Sequence, residues 1–223
     1  TAMKIGAAGE RADAVLAAFQ KATDAKTKAA LMRPLGAIVK AMGGSPGAYD
    51  VVKSAVGHGD TQVRDAAVRC LADWPDATPA TMLLELAGRD AGSAHRTLAL
   101  RSGIQMAANV ASGRDRAPLD FVAYFRQANQ AVRTVGEKMA MVSGLGNLKQ
   151  IEGLEMLQPY LDDPELQNEA ALAVIQIAPA LATTEHAAVV KGVLEKIANA
   201  TLDPVIRNRS RMIAKDITPK PQT

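Results

Sequence analysis

The sequence has few of the residues on which disulfide-bonded, metal-binding and β-rich proteins depend. Its 223 residues include one cysteine, one tryptophan, three tyrosines and three phenylalanines. The single cysteine, Cys70, excludes a disulfide framework and a zinc site built from several cysteines. The scarcity of aromatic and β-branched residues excludes a β-sandwich or β-barrel. No run of 18 apolar residues occurs, so the sequence predicts no membrane span.

Alanine is the abundant residue, with 43 of the 223 positions. Hydrophobic residues make up 48% of the chain and charged residues 22%, which is too apolar and too weakly charged for a disordered segment. Alanine has the highest intrinsic helix propensity. The composition therefore predicts an all-α protein, and it says little about activity.

One helical pattern recurs along the chain, which is the signature of a repeat protein. Its clearest copy is GDTQVRDAAVRCLADW (59–74), where Asp60 is a typical N-cap residue and apolar residues follow at helical spacing. Equivalent positions in the copies are separated by 36, 32, 42, 29 and 40 residues. These positions are Lys28, Arg64, Arg96, Lys138, Gln167 and Arg207.

A further helix is expected before each copy, so that the chain forms about six helix pairs. The expected first helices are 9–22, 47–57, 78–88, 117–128, 148–161 and 184–199. Glycines between helices predict left-handed turns at Gly43, Gly44, Gly57, Gly88, Gly92, Gly113 and Gly146. Prolines inside the expected helices predict kinks or early ends at Pro34, Pro159 and Pro179.

The pattern resembles HEAT repeats, in the D-x-x-V-R-x-x-A signature at 60–67 and its echo at 203–210. The segments LADWPDATPATMLLELA (71–87) and GLEMLQPYLDDPELQNEAALAVIQIA (153–178) are similar to HEAT regions of large bacterial multidomain proteins. The resemblance implies an α-α superhelix, or solenoid, in which stacking of pairs buries a continuous core. Alanine would then occupy the small contact positions between helices.

The chain is accordingly divided into an N-terminal extension (1–8), a repeat domain (9–217) and a proline-containing tail or linker (218–223). The expected repeats are 9–42, 47–74, 78–110, 117–146, 148–180 and 184–217. The first residues do not form a signal peptide, although one could have been removed upstream. The compartment stays open between cytoplasm and periplasm.

The recurring cation has two interpretations, of which we favour the structural one. Asp60 with Arg64, and Asp203 with Arg207, have the spacing of an ion pair on one helix face. We interpret them as a ladder in which each cation pairs with the aspartate of its own or the adjacent repeat. The alternative is a groove that binds anions.

Further bases on the second helix of each pair are candidates for partner binding. A HEAT-like repeat usually lines its concave surface with these helices, so they could form a basic stripe, although ordinary solvated helix faces would give the same pattern. The candidates are Arg69, Arg96, Arg101, Lys138 and Arg211.

Charge is distributed unevenly, which bears on the kind of partner. Residues 1–133 carry a net charge of +5, residues 134–200 carry −5 and residues 201–223 carry +3. Between Glu152 and Glu169 there are six acidic residues and no basic residue. A nucleic-acid-binding protein needs a continuous basic track, so nucleic acid is an unfavoured partner. The acidic segment 152–169 is better suited to contact a basic protein or a neighbouring domain.

The sequence thus favours a non-enzymatic scaffold that binds another protein, or a domain of the same chain, through its concave second-helix surface. We expect a monomer with no cofactor and no metal, since His58, His95 and His186 lack metal-ligand spacing. One alternative is a HEAT-like enzyme or nucleic-acid-binding domain, similar to DNA glycosylases, that uses a basic groove. Another is a purely structural spacer. For that enzyme, Asp65 with Trp74 and Arg69 is the one local cluster to consider.

Overall fold

A computed structural model describes residues 8–89, 94–183 and 185–217. Within these ranges the chain forms twelve α-helices and no β-strand, which confirms the all-α class. None of these helices is both long and apolar enough to cross a membrane. The helices are α1 (Ala8–Lys21), α2 (Ala25–Met42), α3 (Pro46–Ala55), α4 (Thr61–Ala72), α5 (Ala80–Arg89), α6 (Ala94–Ala111), α7 (Phe121–Ala131), α8 (Val135–Leu145), α9 (Ile151–Leu161), α10 (Gln167–Leu181), α11 (Ala187–Ala200) and α12 (Pro204–Asp216).

The odd-numbered helices lie where the first helix of each pair was expected. Both ends of each differ from the predicted bounds by four residues or fewer. Helix α1 starts at Ala8, the last residue of the expected extension, whose other residues lie outside the described ranges. The expected tail at 218–223 lies outside them too.

The chain divides into two compact units, with the boundary between Gly103 and Ile104. In unit 1, α1 packs against α2 and α3 against α4, so consecutive helices form pairs. The two second helices, α2 and α4, also pack against each other, and so do the two first helices, α1 and α3. Unit 1 therefore contains two stacked helix pairs, with first helices on first helices and second on second.

Unit 2 follows the same rule with three pairs. Helix α7 packs on α8, α9 on α10 and α11 on α12. Among the second helices, α10 contacts both α8 and α12, while α7 contacts α9 among the first helices. Helix α10 is thus surrounded, and eight of its fifteen residues are buried. Its apolar sequence, QNEAALAVIQIAPAL, matches that position.

Local sequence fixes where the second helices begin. Asp24, Asp60 and Asp203 each stand at an N-cap and accept hydrogen bonds from backbone N–H groups of the first turn. Helix α8 has Thr134 instead, which forms a capping box with Glu137. A cap of this kind satisfies N–H groups that have no partner inside the helix.

The glycine and proline predictions are correct only in part. Gly43, Gly44 and Gly113 have positive φ, whereas Gly146 is right-handed with φ −60° and Gly88 lies inside α5. Gly92 lies outside the described residues. Of the kinks or early ends predicted at proline, α2 shows no early end at Pro34, whereas α9 and α10 each end two residues after theirs, Pro159 and Pro179.

The cores contain small and aliphatic side chains, with aromatic rings at a few positions. Cys70 is buried, as expected for a free cysteine. Burial raises the pKa of its thiol to about 11, so the thiolate is a minor form at neutral pH. Trp74 is buried and meets Tyr49 of α3 edge to face, with ring centroids 5.7 Å apart.

A glycine permits the closest helix approach in unit 2. A Cβ atom added at Gly144 of α8 would lie 2.7 Å from Cγ2 of Ile104 and 2.9 Å from Cε1 of Phe125. Both neighbours are buried, so neither can move away into solvent. The position therefore requires the absence of a side chain, and overpacking such a site costs about 1–3 kcal/mol.

We predict opposite effects for two glycine-to-alanine substitutions inside helices. Gly144→Ala should lower the free energy of unfolding by about 1–3 kcal/mol because of the clash. Gly192→Ala, in α11 with no atom within 4 Å of the new Cβ, should raise it by about 0.5–1 kcal/mol because alanine loses less entropy in a helix. Urea unfolding measures both, and equal effects would contradict the packing described.

Candidate functional site

The turn into α4 is built by three side chains that bind backbone groups. The Asp60 carboxylate accepts from the N–H groups of Gln62 (2.8 Å) and Val63 (3.4 Å). The Asp60 N–H in turn donates to Nδ1 of His58 at 3.0 Å. Nη1 of Arg64 reaches back over the turn and donates to the carbonyls of His58 (2.7 Å) and Gly59 (2.8 Å).

The turn into α12, in the other unit, repeats this arrangement. Asp203 accepts from the N–H groups of Val205 (2.7 Å) and Ile206 (3.1 Å). The Asp203 N–H donates to the hydroxyl of Thr201 at 3.2 Å, as the Asp60 N–H does to His58. Nη2 of Arg207 donates to the Thr201 carbonyl at 2.9 Å, again six residues back.

The structure gives the predicted ladder residues different partners from those expected. Asp60 and Asp203 cap their helices, and Arg64 and Arg207 bind loop carbonyls, so neither pair is joined as an ion pair in the described structure. The reason is local, because the N-terminal N–H groups need an acceptor and the loop carbonyls need a donor. The signature thus closes the turn within one repeat.

One contact does connect adjacent repeats at the signature position. Nζ of Lys138, on α8, lies 3.0 Å from Oδ2 of Asp163, which precedes α10. The hydrogen bond from the Lys138 ammonium holds the pKa of the Asp163 carboxyl below its ordinary value of 3.8, and the Glu165 N–H contributes. Lys138 was predicted to bind a partner. The structure places it instead in a half-buried contact between helix pairs.

The other predicted partner-binding residues are in contrasting environments. Arg69, Arg101 and Arg211 are exposed on α4, α6 and α12. Arg96 is only 5% exposed, so its placement in an exposed basic stripe is corrected to a buried position. It lies in the first turn of α6.

Only two members of the cluster weighed for a glycosylase-like enzyme are joined in the structure. Asp65 is bound by Nε of Arg69 at 3.0 Å and lies 2.5 Å from Nε2 of His95. Trp74 is buried against Tyr49, so its ring offers no exposed face on which a nucleobase could stack.

A groove of about 560 Å³ runs between α2 and α4 in unit 1. Its uncharged lining consists of small residues and Met32, and a Cβ at Gly36 would lie 3.0 Å from Sγ of Cys70. Charged side chains form the rest of the lining. The charged lining comprises the cations Arg33, Lys40 and Arg69 and the carboxylates Asp65 and Asp73.

Two of these cations, Arg33 and Lys40, were not among the predicted site residues. Both are exposed, and neither forms a salt bridge with another described residue. A signal for Arg33 is present in the sequence, since it follows Lys28 by five residues, as Arg69 follows Arg64 and Arg101 follows Arg96. Lys40 lies about two turns beyond Arg33, and only the structure identifies it as a groove residue.

The second helices of unit 2 have no arginine at the position where those of unit 1 do, and two of the three have an apolar side chain there. Counting from the signature position, the residues five places on are Ser143, Leu172 and Met212. Leu172 and Met212 are exposed, as are Val135 and Met139 one turn apart on α8 and Val205 on α12. No group of His, Cys, Asp and Glu suited to a metal occurs in the described ranges.

No family model matches the chain, and comparison with curated proteins and with solved structures gives no significant match.

Removal of the Arg64 guanidinium tests the turn. Arg64→Ala should lower the free energy of unfolding by about 1–2 kcal/mol, because it leaves the His58 and Gly59 carbonyls without their donor. Arg69→Ala is the matched control: its pair with Asp65 is exposed and should contribute about 0.5 kcal/mol or less. Thermal unfolding distinguishes the two, and a partner-binding defect without any change in Tm for Arg64→Ala would contradict this role.

The contact between Lys138 and Asp163 predicts a dependence of stability on pH. Because the folded-state pKa of Asp163 is below 3.8, its contribution is complete above that pH and is lost as the pH falls through the folded value. Lys138→Gln should therefore reduce the decrease in Tm between about pH 5 and about pH 2.5. In an Asp163→Asn background, Lys138→Gln should leave the pH profile unchanged; a further change there would assign the effect to another carboxylate.

Proposed function

We propose that this protein is a non-enzymatic scaffold of HEAT-like helix pairs that binds another protein, or a domain of its own chain, through its second helices. Support for the repeat architecture comes from the order of helix contacts inside each unit. It also comes from the turn at Asp60 and Arg64, which recurs at Asp203 and Arg207.

The observation that carries the proposal is where large apolar side chains stay exposed. In the described residues six of them lie on second helices, against one on a first helix, Val189, and one in a loop, Leu202. Scattered single apolar residues are normal on a surface, whereas a grouped set indicates an interaction site. The six are Met42, Val135, Met139, Leu172, Val205 and Met212.

The grouping in unit 2 follows from helix geometry. Val135 and Met139 are four residues apart and Val205 and Met212 seven apart, so each pair shares one face of its helix. Helix α10 contacts both α8 and α12, and Leu172 is its one exposed large apolar residue. Three second helices in mutual contact thus each keep large apolar side chains exposed.

Site-specific photocrosslinking tests the proposal. A benzophenone amino acid at Leu172 should yield a crosslinked partner from an extract of the source organism. The same group at Val189, on a first helix, should not. The two positions are matched, since Leu172 is 43% exposed and Val189 is 49% exposed.

The double substitution Met139→Glu with Met212→Glu, in the chain labelled at Leu172, should abolish the adduct, because it introduces charge beside the apolar contact. Circular dichroism controls for folding. Equal adducts at both positions, or none at Leu172, would contradict binding through the second helices.

A further inference from the structure

We infer that the groove between α2 and α4 of unit 1 binds an extended acidic segment of a partner protein. This inference rests on the proposed scaffold function and adds the chemistry of one ligand. It arises from three features that coincide at the groove: two cations without a carboxylate partner, an uncharged lining of mostly short side chains, and a spacing that fits an extended peptide.

Some charged side chains of the groove already have a partner of opposite charge, and others do not. Asp65 is already occupied by Arg69 and lies against His95. Asp73, at the C-terminal end of α4, forms no salt bridge with a described cation. Arg33 and Lys40 remain as exposed cations beside a concave surface. A carboxylate brought between them gains two opposite charges without breaking an existing ion pair.

Most of the uncharged lining of the groove has short side chains. Ala29, Gly36 and Ala37 line it from α2, and Ala66 and Cys70 line it from α4. The buried Met32 is the one long uncharged side chain in the lining. Short side chains leave room for the backbone of an extended segment to approach the two helices.

The spacing of the two cations sets the pattern of the ligand. Arg33 and Lys40 are seven residues apart, which is about 10 Å along the helix axis, on the same face of α2. In an extended polyproline-like chain, residues three apart share a face and are separated by about 9 Å. Acidic side chains at every third position of such a chain would therefore meet both cations.

A peptide suits the groove better than a nucleic acid does. Asp65 and Asp73 stand among the cations, and they would repel the continuous phosphate charge of a strand. A peptide can place neutral or basic side chains opposite them. In unit 2 the equivalent second-helix positions are Ser143, Leu172 and Met212, so the basic row does not continue as a phosphate track would require.

Fluorescence anisotropy with a fluorescein-labelled peptide of about four Glu-Pro-Pro repeats tests the inference. The full chain should bind this peptide, should not bind the Gln-Pro-Pro counterpart, and should lose affinity as salt is raised. Arg33→Glu with Lys40→Glu should weaken binding by about tenfold or more. Arg33→Ala with Lys40→Ala should also weaken peptide binding. This neutral variant replaces the charge-reversed one if the fluorescence of Trp74 shows that charge reversal impairs folding.

The matched control is Arg209→Glu with Lys215→Glu. It reverses one arginine and one lysine, both exposed on the second helix α12, and so changes net charge equally. Its affinity should stay within about threefold of the original. An equal loss in both variants would overturn the site, because general attraction would then explain binding.

Two further results would overturn the inference, because each would indicate a different ligand in the groove. Tighter binding of a single-stranded oligonucleotide of equal charge would indicate a nucleic-acid site. Self-association in sedimentation that the Arg33→Glu and Lys40→Glu variant abolishes would indicate a second copy of the chain. The crosslink at Leu172 separates the two proposals: if it forms while the acidic peptide fails to bind, the groove inference is wrong and the scaffold function stands.

Discussion

The fold depends on how the chain enters each second helix. The first N–H groups of a helix and the carbonyls of the preceding loop both need hydrogen-bond partners. At Asp60 and Arg64 one side chain accepts and the other donates, and both groups are thereby satisfied. The loop is thus tied to the helix that follows it.

Much of this architecture can be predicted from the sequence. The N-cap aspartates, the helical spacing of apolar residues and the abundance of alanine depend on local chemistry, and the helices lie close to the predicted bounds. The all-α class follows from the same signals. Proline is a less exact signal: Pro159 and Pro179 stand close to the ends of their helices, whereas α2 continues for eight residues beyond Pro34.

The roles of individual cations are harder to predict, because they depend on which neighbour lies within reach. Sequence spacing treats Lys138 and Arg64 as equivalent. In the structure, Lys138 reaches the next repeat at Asp163, whereas Arg64 turns back to its own loop. Arg96 occupies the same register and is buried. The groove cation Lys40 lies outside the register altogether, so only the packing of α2 on α4 brings it beside Arg69.

The contrast between the two sets of second helices has a consequence for solution behaviour. An arginine at position 33, 69 or 101 interacts through charge, which added salt screens. Leucine or methionine at the corresponding positions, 172 and 212, interacts through burial of its apolar surface, which sulfate or phosphate salts favour. Added sulfate therefore acts in opposite directions on these two sets of exposed side chains. In the proposed scaffold, such a salt would weaken a charged contact at one set of helices and strengthen an apolar contact at the other.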